Sequence, residues 1–366
     1  MTSPHADRLA RLQALMRQTG TDLVAIGPSS HMMWLTGLDP HGDERPVMLL
    51  VGPDRAGFLM PALNAGAARQ VTDLPLHCWS DDQGPDAALA ALLVACDADR
   101  PGLSVVLDET MRADFALRLL DALAAPRRRF SADTLGRLRA AKDAAEIEAL
   151  TASARLNDAA VTAAFDALRE GMTERELQEV IHAHYEAHGA RPEFTIIGFG
   201  ANGAYPHHHT GDTRLAPGMA VLIDSGCRHM GYPSDMTRCG WFGGAPDPEF
   251  LEVATVVERA VQAALEVARP GVRASEIDRA ARGVIEAAGH GERFLHRTGH
   301  GLGLDVHEPP YISASSDAVL EEGCVFSIEP GIYLEGRFGI RLEDIVVLRE
   351  GGAEILSGLS RDLRLG

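Results

Sequence analysis

Asp224 and Glu329 sit in two segments that copy one another, and Asp235 and Glu343 follow them. Gly218-Met-Ala-Val-Leu-Ile-Asp224-Ser-Gly226 aligns with Gly323-Cys-Val-Phe-Ser-Ile-Glu329-Pro-Gly331 at an offset of 105. Each has a glycine, an apolar run, an acid, and a glycine two residues later. That pattern describes a buried strand carrying a carboxylate into a pocket just before a turn. A buried carboxylate is unfavourable unless it is paired or binds a metal ion. Asp224 and Asp235 are 11 apart, room for a strand, a tight turn around Gly231 and a returning strand. Glu329 and Glu343, 14 apart, repeat the arrangement with a turn near Gly336 to Gly339. His300 lies in Gly299-His-Gly-Leu-Gly303, where the glycines let backbone approach an ion closely. Alone, an Asp before Ser-Gly or a Glu before Pro-Gly reads as a turn residue or cap; the duplication favours a shared ion site. Four carboxylates and one imidazole form a hard, oxygen-rich set for two divalent ions, suited to Mn²⁺, with Co²⁺, Fe²⁺ or Zn²⁺ as alternatives. Two bridging carboxylates could hold such ions about 3.5–4 Å apart, sharing a water that ionises near neutral pH.

Composition narrows the class. The 366 residues are 46% hydrophobic, enough for two domains and a sizeable core. No apolar run reaches the ~18 residues of a membrane span, and Met1-Thr-Ser-Pro-His-Ala-Asp-Arg8 lacks the basic and apolar segments of a signal peptide. The net charge is −18, Lys142 is the single lysine and there is no basic patch, which argues against nucleic acid as a partner. Five cysteines without a Cys-x-x-Cys pair read as reduced packing thiols of a cytoplasmic protein, Cys227 and Cys239 among them although they lie near the acids.

The elements that must position these groups fall into two parts. Residues 1–135 alternate helix (Asp7 to Gln18, Ala87 to Ala95) and strand (Leu23 to Ile26, Val47 to Val51, Leu103 to Leu107), predicting an α/β domain. Its most distinctive stretch holds His31, Trp34 and Thr36, either a packed loop or a wall of the active site. Arg127 to Arg129 and Ser131 to Lys142 read as a charged bridge, and a long helix follows. Residues 136–366 repeat at an offset of 100: Gly171, Glu176, Leu177, Gly189, Phe194 and His207 match Gly271, Glu276, Ile277, Gly289, Phe294 and His307. Two copies of a helix-helix-strands unit, folded face to face, would place a site between the halves.

With these residues assembled, a family resemblance becomes visible. Asp224-Ser-Gly, Ser234-Asp-Met-Thr-Arg238, the run from His296 to Glu308, Ser327-Ile-Glu-Pro-Gly-Ile-Tyr333 and Gly339-Ile-Arg-Leu-Glu-Asp344 resemble the signature of the pita-bread metallopeptidases, nearest to Xaa-Pro dipeptidases (prolidases) and Xaa-Pro aminopeptidases. The resemblance spans nearly the whole chain. It implies a creatinase-type N-terminal α/β domain followed by a duplicated pita-bread α+β catalytic domain, and commonly a homodimer. It implies Asp224, Asp235, His300, Glu329 and Glu343 as metal ligands, with Asp235 and Glu343 bridging. Glu329 would also carry the proton from the attacking water to the proline nitrogen, a tertiary amide that leaves poorly until protonated. His207 and His307 would contact substrate and polarise the scissile carbonyl. His296 and Arg341 would orient substrate or the outer shell, and Tyr232 and Thr237 would support the ligands. His208 and His209 are weaker candidates than His207.

One position departs from the family pattern. Some strict dipeptidases carry an arginine shortly after the His-Glu pair, able to hold a free carboxylate; here Tyr311 stands there, as the candidate substrate contact. Arg341, or Arg45 from the first domain, would have to supply the charge instead. The implied substrate is a small proline-containing peptide. The alternatives are an aminopeptidase acting on longer peptides, a metal-dependent hydrolase or lyase of a small osmolyte, and a non-catalytic binding protein.

Overall fold

The short apolar runs of the first 130 residues join one mixed sheet in the computed structural model, which describes residues 4–366. The chain divides into two units, the first running to Leu138 and the second spanning Arg139–Gly366. In the first unit the strands are β1 (Leu23–Ile26), β2 (Met48–Val51), β3 (Ala56–Pro61), β4 (Leu76–Trp79), β5 (Ser104–Leu107) and β6 (Arg127–Phe130), in the spatial order β4-β3-β2-β1-β5-β6. β1 pairs antiparallel with β2 and parallel with β5. Leu89, Leu92 and Leu93 of the helix Asp86–Ala95 and Phe115 and Leu119 of Ala113–Ala122 bury against the sheet.

Two expectations change here. Arg127 to Arg129 do not form a bridge but lie in the edge strand β6, parallel to β5. An edge strand needs partners on one side only, and outward charges discourage further pairing. His31, Trp34 and Thr36 are buried in the helix Ser30–Thr36. Arg8 stacks over the Trp34 ring at 4.8 Å and donates to the Trp34 carbonyl at 3.1 Å. These residues are packed inside the first unit.

In the second unit the duplication appears as repeated turn chemistry. Gly171 and Gly271 have φ of 78° and 91°, and each donates its N–H over 2.8 Å to a distant carbonyl, Leu215 and Leu320 respectively. Gly189 and Gly289, at φ 71° and 83°, follow the helices Glu174–Ala187 and Ala274–Ala287. Left-handed backbone at these points explains why the repeat conserves glycine between its own copies. The first half supplies β7 (Arg191–Phe199), β8 (Met219–His229), β9 (Tyr232–Pro233) and β10 (Met236–Phe242). The second supplies β11 (Gly299–Gly301), β12 (Glu308–Ile312), β13 (Val325–Ile328), β14 (Gly331–Leu334), β15 (Phe338–Arg341), β16 (Asp344–Arg349) and β17 (Gly352–Ile355), and β18 (Arg364–Leu365) returns to pair with β10.

β8 folds back through Met230-Gly231, with φ of 51° and 84° between the paired His229 and Tyr232, a two-residue turn with both φ positive. Thr237 of β10 then lies opposite Asp224. The second half differs from a simple copy. β13 pairs with β16, while β14 and β15 form a separate two-stranded hairpin turning at Glu335 to Arg337. Pro330, which has no N–H, interrupts the strand between Glu329 and β14.

The halves are latched by buried polar bonds. Glu343 N–H donates to the Thr237 carbonyl at 3.2 Å. Arg238, 1% exposed, donates to the Glu343 carbonyl at 2.6 Å and to Asp344 at 2.7 Å. A second buried cluster pins the loop that carries His300 and His307. Glu308 accepts from Lys142 at 2.9 Å and from Arg139, which also reaches Asp305 at 3.0 Å.

Glu308→Gln keeps the shape but leaves two buried cations with one half-exposed acid. Breaking a buried pair this way should lower stability by roughly 3–5 kcal/mol, read from the urea midpoint. An unchanged midpoint would show that the cluster does not hold the loop.

Candidate metal centre

Asp224 lies within β8, Asp235 just before β10, His300 within β11, Glu329 just after β13 and Glu343 just before β16. The turns described above bring all five together. Asp224, Asp235 and Glu343 offer oxygens within 4.8 Å of one another, and so do His300, Glu329 and Glu343 with their ligand atoms. Glu343 belongs to both groups. A third group joins Asp235, His300 and His307.

The donor atoms are oriented for cations. His300 Nδ1 lies 3.1 Å from the Gly301 carbonyl, which can only accept, so Nδ1 carries the proton. The bare Nε2 then faces Asp235 Oδ2 at 3.5 Å and Glu329 Oε1 at 3.3 Å. Burial, with His307 beside it, pushes the His300 pKa down to about 3, so protonation does not relieve this meeting of lone pairs. Asp224 Oδ1 and Glu343 Oε1 are buried without a hydrogen-bond partner among the described residues. Burial also drives the Asp235 carboxyl well up, reinforced by Glu343, Asp224 and Glu329, and drives Glu343 up with help from Glu329 and Asp224. Burial raises Glu329 from 4.5 to about 7, Arg341 opposing and Asp224 adding. Converging lone pairs, orphaned oxygens and mutually destabilised anions all fit divalent cations.

Neighbouring groups fix the ligands. Thr237 Oγ1 donates to Glu343 at 2.7 Å. Ser327 Oγ accepts from His300 N–H at 2.9 Å and donates to Glu329 at 3.1 Å. Arg341 donates through Nε to Thr237 at 2.9 Å, through Nη1 to the Tyr333 hydroxyl at 2.8 Å, and through Nη2 to Asp224. His296 continues this chain. Its Nδ1 donates to the Arg297 carbonyl at 2.8 Å, so its Nε2 accepts from the Tyr333 hydroxyl at 2.7 Å. Burial beside Arg341 lowers its pKa to about 4. Both His296 nitrogens are thus occupied within the protein, placing it in the supporting network. Tyr232 donates instead to Glu146 at 3.0 Å. Cys227 and Cys239 are buried; Cys239 donates to the Arg341 carbonyl.

The ligands open into a cavity of about 740 Å³, walled by Phe194, Ile196 and Val306 and by His207, His307 and Arg297. His307 packs edge-on to His300, ring centroids 4.0 Å apart. His208 is tied to the fully buried Glu174 at 2.9 Å, and His209 is exposed; of the three neighbouring histidines only His207 lines the cavity. Tyr311 does not line it. Arg297 does, and sequence reasoning missed it because its significance depends on a contact across the sheet. Glu193 was also missed; it lines the cavity and is held by Arg228 at 2.6 and 2.9 Å.

A buried oxygen-rich ligand set with one bare imidazole, opening on a polar cavity, defines a hydrolase that works with divalent metal. Residues 148–350 match the model for metallopeptidase family M24, and residues 8–157 match the creatinase/prolidase N-terminal domain. The chain belongs to metallopeptidase family M24 and uses divalent metal. It is 37% identical to the probable dipeptidase PepE of Mycobacterium tuberculosis, over 98% of this chain and 96% of that one. It is 33% identical to the Xaa-Pro dipeptidase of Lactobacillus delbrueckii subsp. lactis, over 98% of both. The crystal structure of recombinant prolidase from Thermococcus sibiricus superposes with a TM-score of 0.90 at 32% identity, covering 100% of both chains. The fold is therefore a creatinase-type N-terminal domain with an M24 catalytic domain.

The raised carboxyls give a signed pH dependence. A carboxyl whose pKa rises on folding lowers stability once the unfolded chain ionises; for Glu329 this begins near 4.5 and is complete near 7. Cations remove that loss. Mn²⁺ added to chelated protein should raise the unfolding midpoint more at about pH 8 than at about pH 5. Equal gains would mean that the ions bind elsewhere.

Proposed function

We propose that the chain is a dinuclear metal-dependent Xaa-Pro dipeptidase. The observation that carries this is the convergence of Asp224, Asp235, His300, Glu329 and Glu343 on one point at the floor of a peptide-sized cavity. The names of the full-length relatives supply the bond. Asp224, Asp235 and Glu343 would hold one ion and His300, Glu329 and Glu343 the other. Glu343, which belongs to both groups, and Asp235, which faces His300, would be shared between the ions.

When bound, two such ions activate a water and polarise the scissile carbonyl. The protein's own groups do the rest. Glu329 takes the water's proton and delivers it to the proline nitrogen. Ser327 holds the Glu329 oxygen in place for that transfer. His307, its pKa lowered by burial and by Arg297, stands neutral as a hydrogen-bond donor to the carbonyl oxygen, with His207 across the cavity. Arg341 fixes Asp224, and His296 and Tyr333 fix Arg341.

Mn²⁺ is the preferred ion, because carboxylate oxygens outnumber the single nitrogen. Five unpaired thiols support a cytoplasmic setting, and the family resemblance supports a homodimer. Cleavage of Ala-Pro, with Ala-Pro-Pro and creatine as comparisons, separates this reading from an aminopeptidase and from an osmolyte hydrolase.

Glu329→Gln should reduce kcat on Ala-Pro by ~10²–10⁴-fold at full metal occupancy. Activity within a few-fold of wild type would move the proton-transfer role to another group.

A further inference from the structure

Arg238 is buried and spends every N–H of its guanidinium inside the protein. Nη1 reaches the Thr237 and Glu343 carbonyls at 3.0 and 2.6 Å. Nη2 reaches Asp344 at 2.7 Å and the Leu359 carbonyl at 2.6 Å, and Nε reaches the Ser360 carbonyl at 3.0 Å. Two of these five bonds go to a segment far along the chain, residues 357–366. That segment is fastened along its length. At its start, Asp158 of the helix Ala144–Asp166 accepts from the Ser357 hydroxyl and, at 2.6 Å, from the Gly358 N–H. At its end β18 pairs with β10, where Gly240 leaves it room; a Cβ there would lie 2.5 Å from the Arg364 carbonyl. Between them Arg361 is bidentate to Glu258 of the helix Pro248–Val267, at 2.7 and 2.9 Å, and donates its Nη1 to Asp344.

Asp344 is therefore held on both oxygens, by Arg238 on Oδ1 and by Arg361 on Oδ2. The Asp344 side chain is 2% exposed and that of Arg361 14%, so water does not screen this pair as it does a surface one. Asp344 directly follows the ligand Glu343, whose own backbone is committed to Thr237 through its N–H and to Arg238 through its carbonyl. The Glu343 carboxylate turns only about a backbone that this network fixes. Among the described residues that line the ligand cavity, none belongs to the segment. We propose that Arg361 is a positioning residue for the metal ligand Glu343, acting through Asp344 and Arg238. This rests on the two-ion reading and extends it to a part of the chain that meets neither ion nor substrate. Groups that orient a ligand from behind set its affinity for metal, because a ligand free to swing must be ordered by the ion itself.

The test uses the full chain, stripped of metal and titrated with Mn²⁺ by calorimetry. Wild type should take up two ions. Arg361→Met, which keeps the stem of the side chain and removes its charge, should weaken uptake of at least one by about 10-fold. Activity on Ala-Pro should fall at limiting Mn²⁺ and return in excess Mn²⁺, with KM little changed. The visible absorption of the Co²⁺-loaded variant should differ from that of wild type, since the ligand has moved. Arg361→Lys, a point charge without the fork, should recover part of the affinity. A merely structural role would lower the urea midpoint and leave Mn²⁺ affinity and the Co²⁺ spectrum of the folded protein unchanged; that result overturns the proposal and leaves the two-ion reading intact. Wild type that binds one ion or none overturns the two-ion reading and the proposal with it. Should Arg361→Met not fold, Glu258→Gln, which removes the partner that aims Arg361, must weaken Mn²⁺ binding in the same direction, or the proposal fails.

Discussion

Four carboxylates facing one point are the constraint on which the catalytic unit depends. Uncompensated, they are buried anions that also repel one another, and burial above all, with that repulsion added, drives Asp235, Glu329 and Glu343 up. Holding them there requires a frame that cannot relax outward. β8 and β10 supply it in the first half and β13 and β16 in the second, each with the acid at or beside a paired position. The latch between the halves is made at the ligands themselves: the Glu343 N–H bonds to Thr237, whose hydroxyl bonds to the Glu343 carboxylate. Metal binding and closure of the two halves therefore act on the same residues.

Duplication explains the pairing of acids but not the chemistry. Each half delivers two carboxylates, yet His300, Arg341 and the Ser327 hydroxyl that holds Glu329 belong to the second half alone. The excursion through β14 and β15 between Glu329 and Glu343 is what adds Tyr333 and Arg341 to the copy. Gly339 lets this hairpin press against the first half; a Cβ there would lie 1.9 Å from the Gly203 carbonyl. The asymmetry turns a symmetric ion cradle into a site with a direction, the metal on its floor and a supporting Arg341-Tyr333-His296 chain on one side.

This division tracks what could be read from sequence. Asp224, Glu329 and His300 were legible as candidate ligands because each sits in a local pattern, an apolar run ending in an acid or a histidine among glycines, and Asp235 and Glu343 followed from their spacing to those acids. The β8/β10 turn was legible because Gly231 marks it. The commitments of His296 and Tyr232 were not, because a tautomer and a hydroxyl's partner are set by groups far along the chain, Tyr333 and Glu146. The arginine run of β6 was misleading for a related reason. Charge suggests a linker, but one-sided pairing at a sheet edge tolerates charge equally well. The glycine repeat at an offset of 100 was visible, while its cause, the N–H bonds from Gly171 and Gly271 to remote carbonyls, was not.

Arg341 and Arg297 show how position decides what identical side chains do. Arg341 is buried among oxygen acceptors, and every contact it makes immobilises a group of the centre. Removing it would leave Asp224 without its cation, so its effect on substrate would be indirect. Arg297 is half-buried, lines the cavity and rests on the face of Tyr311.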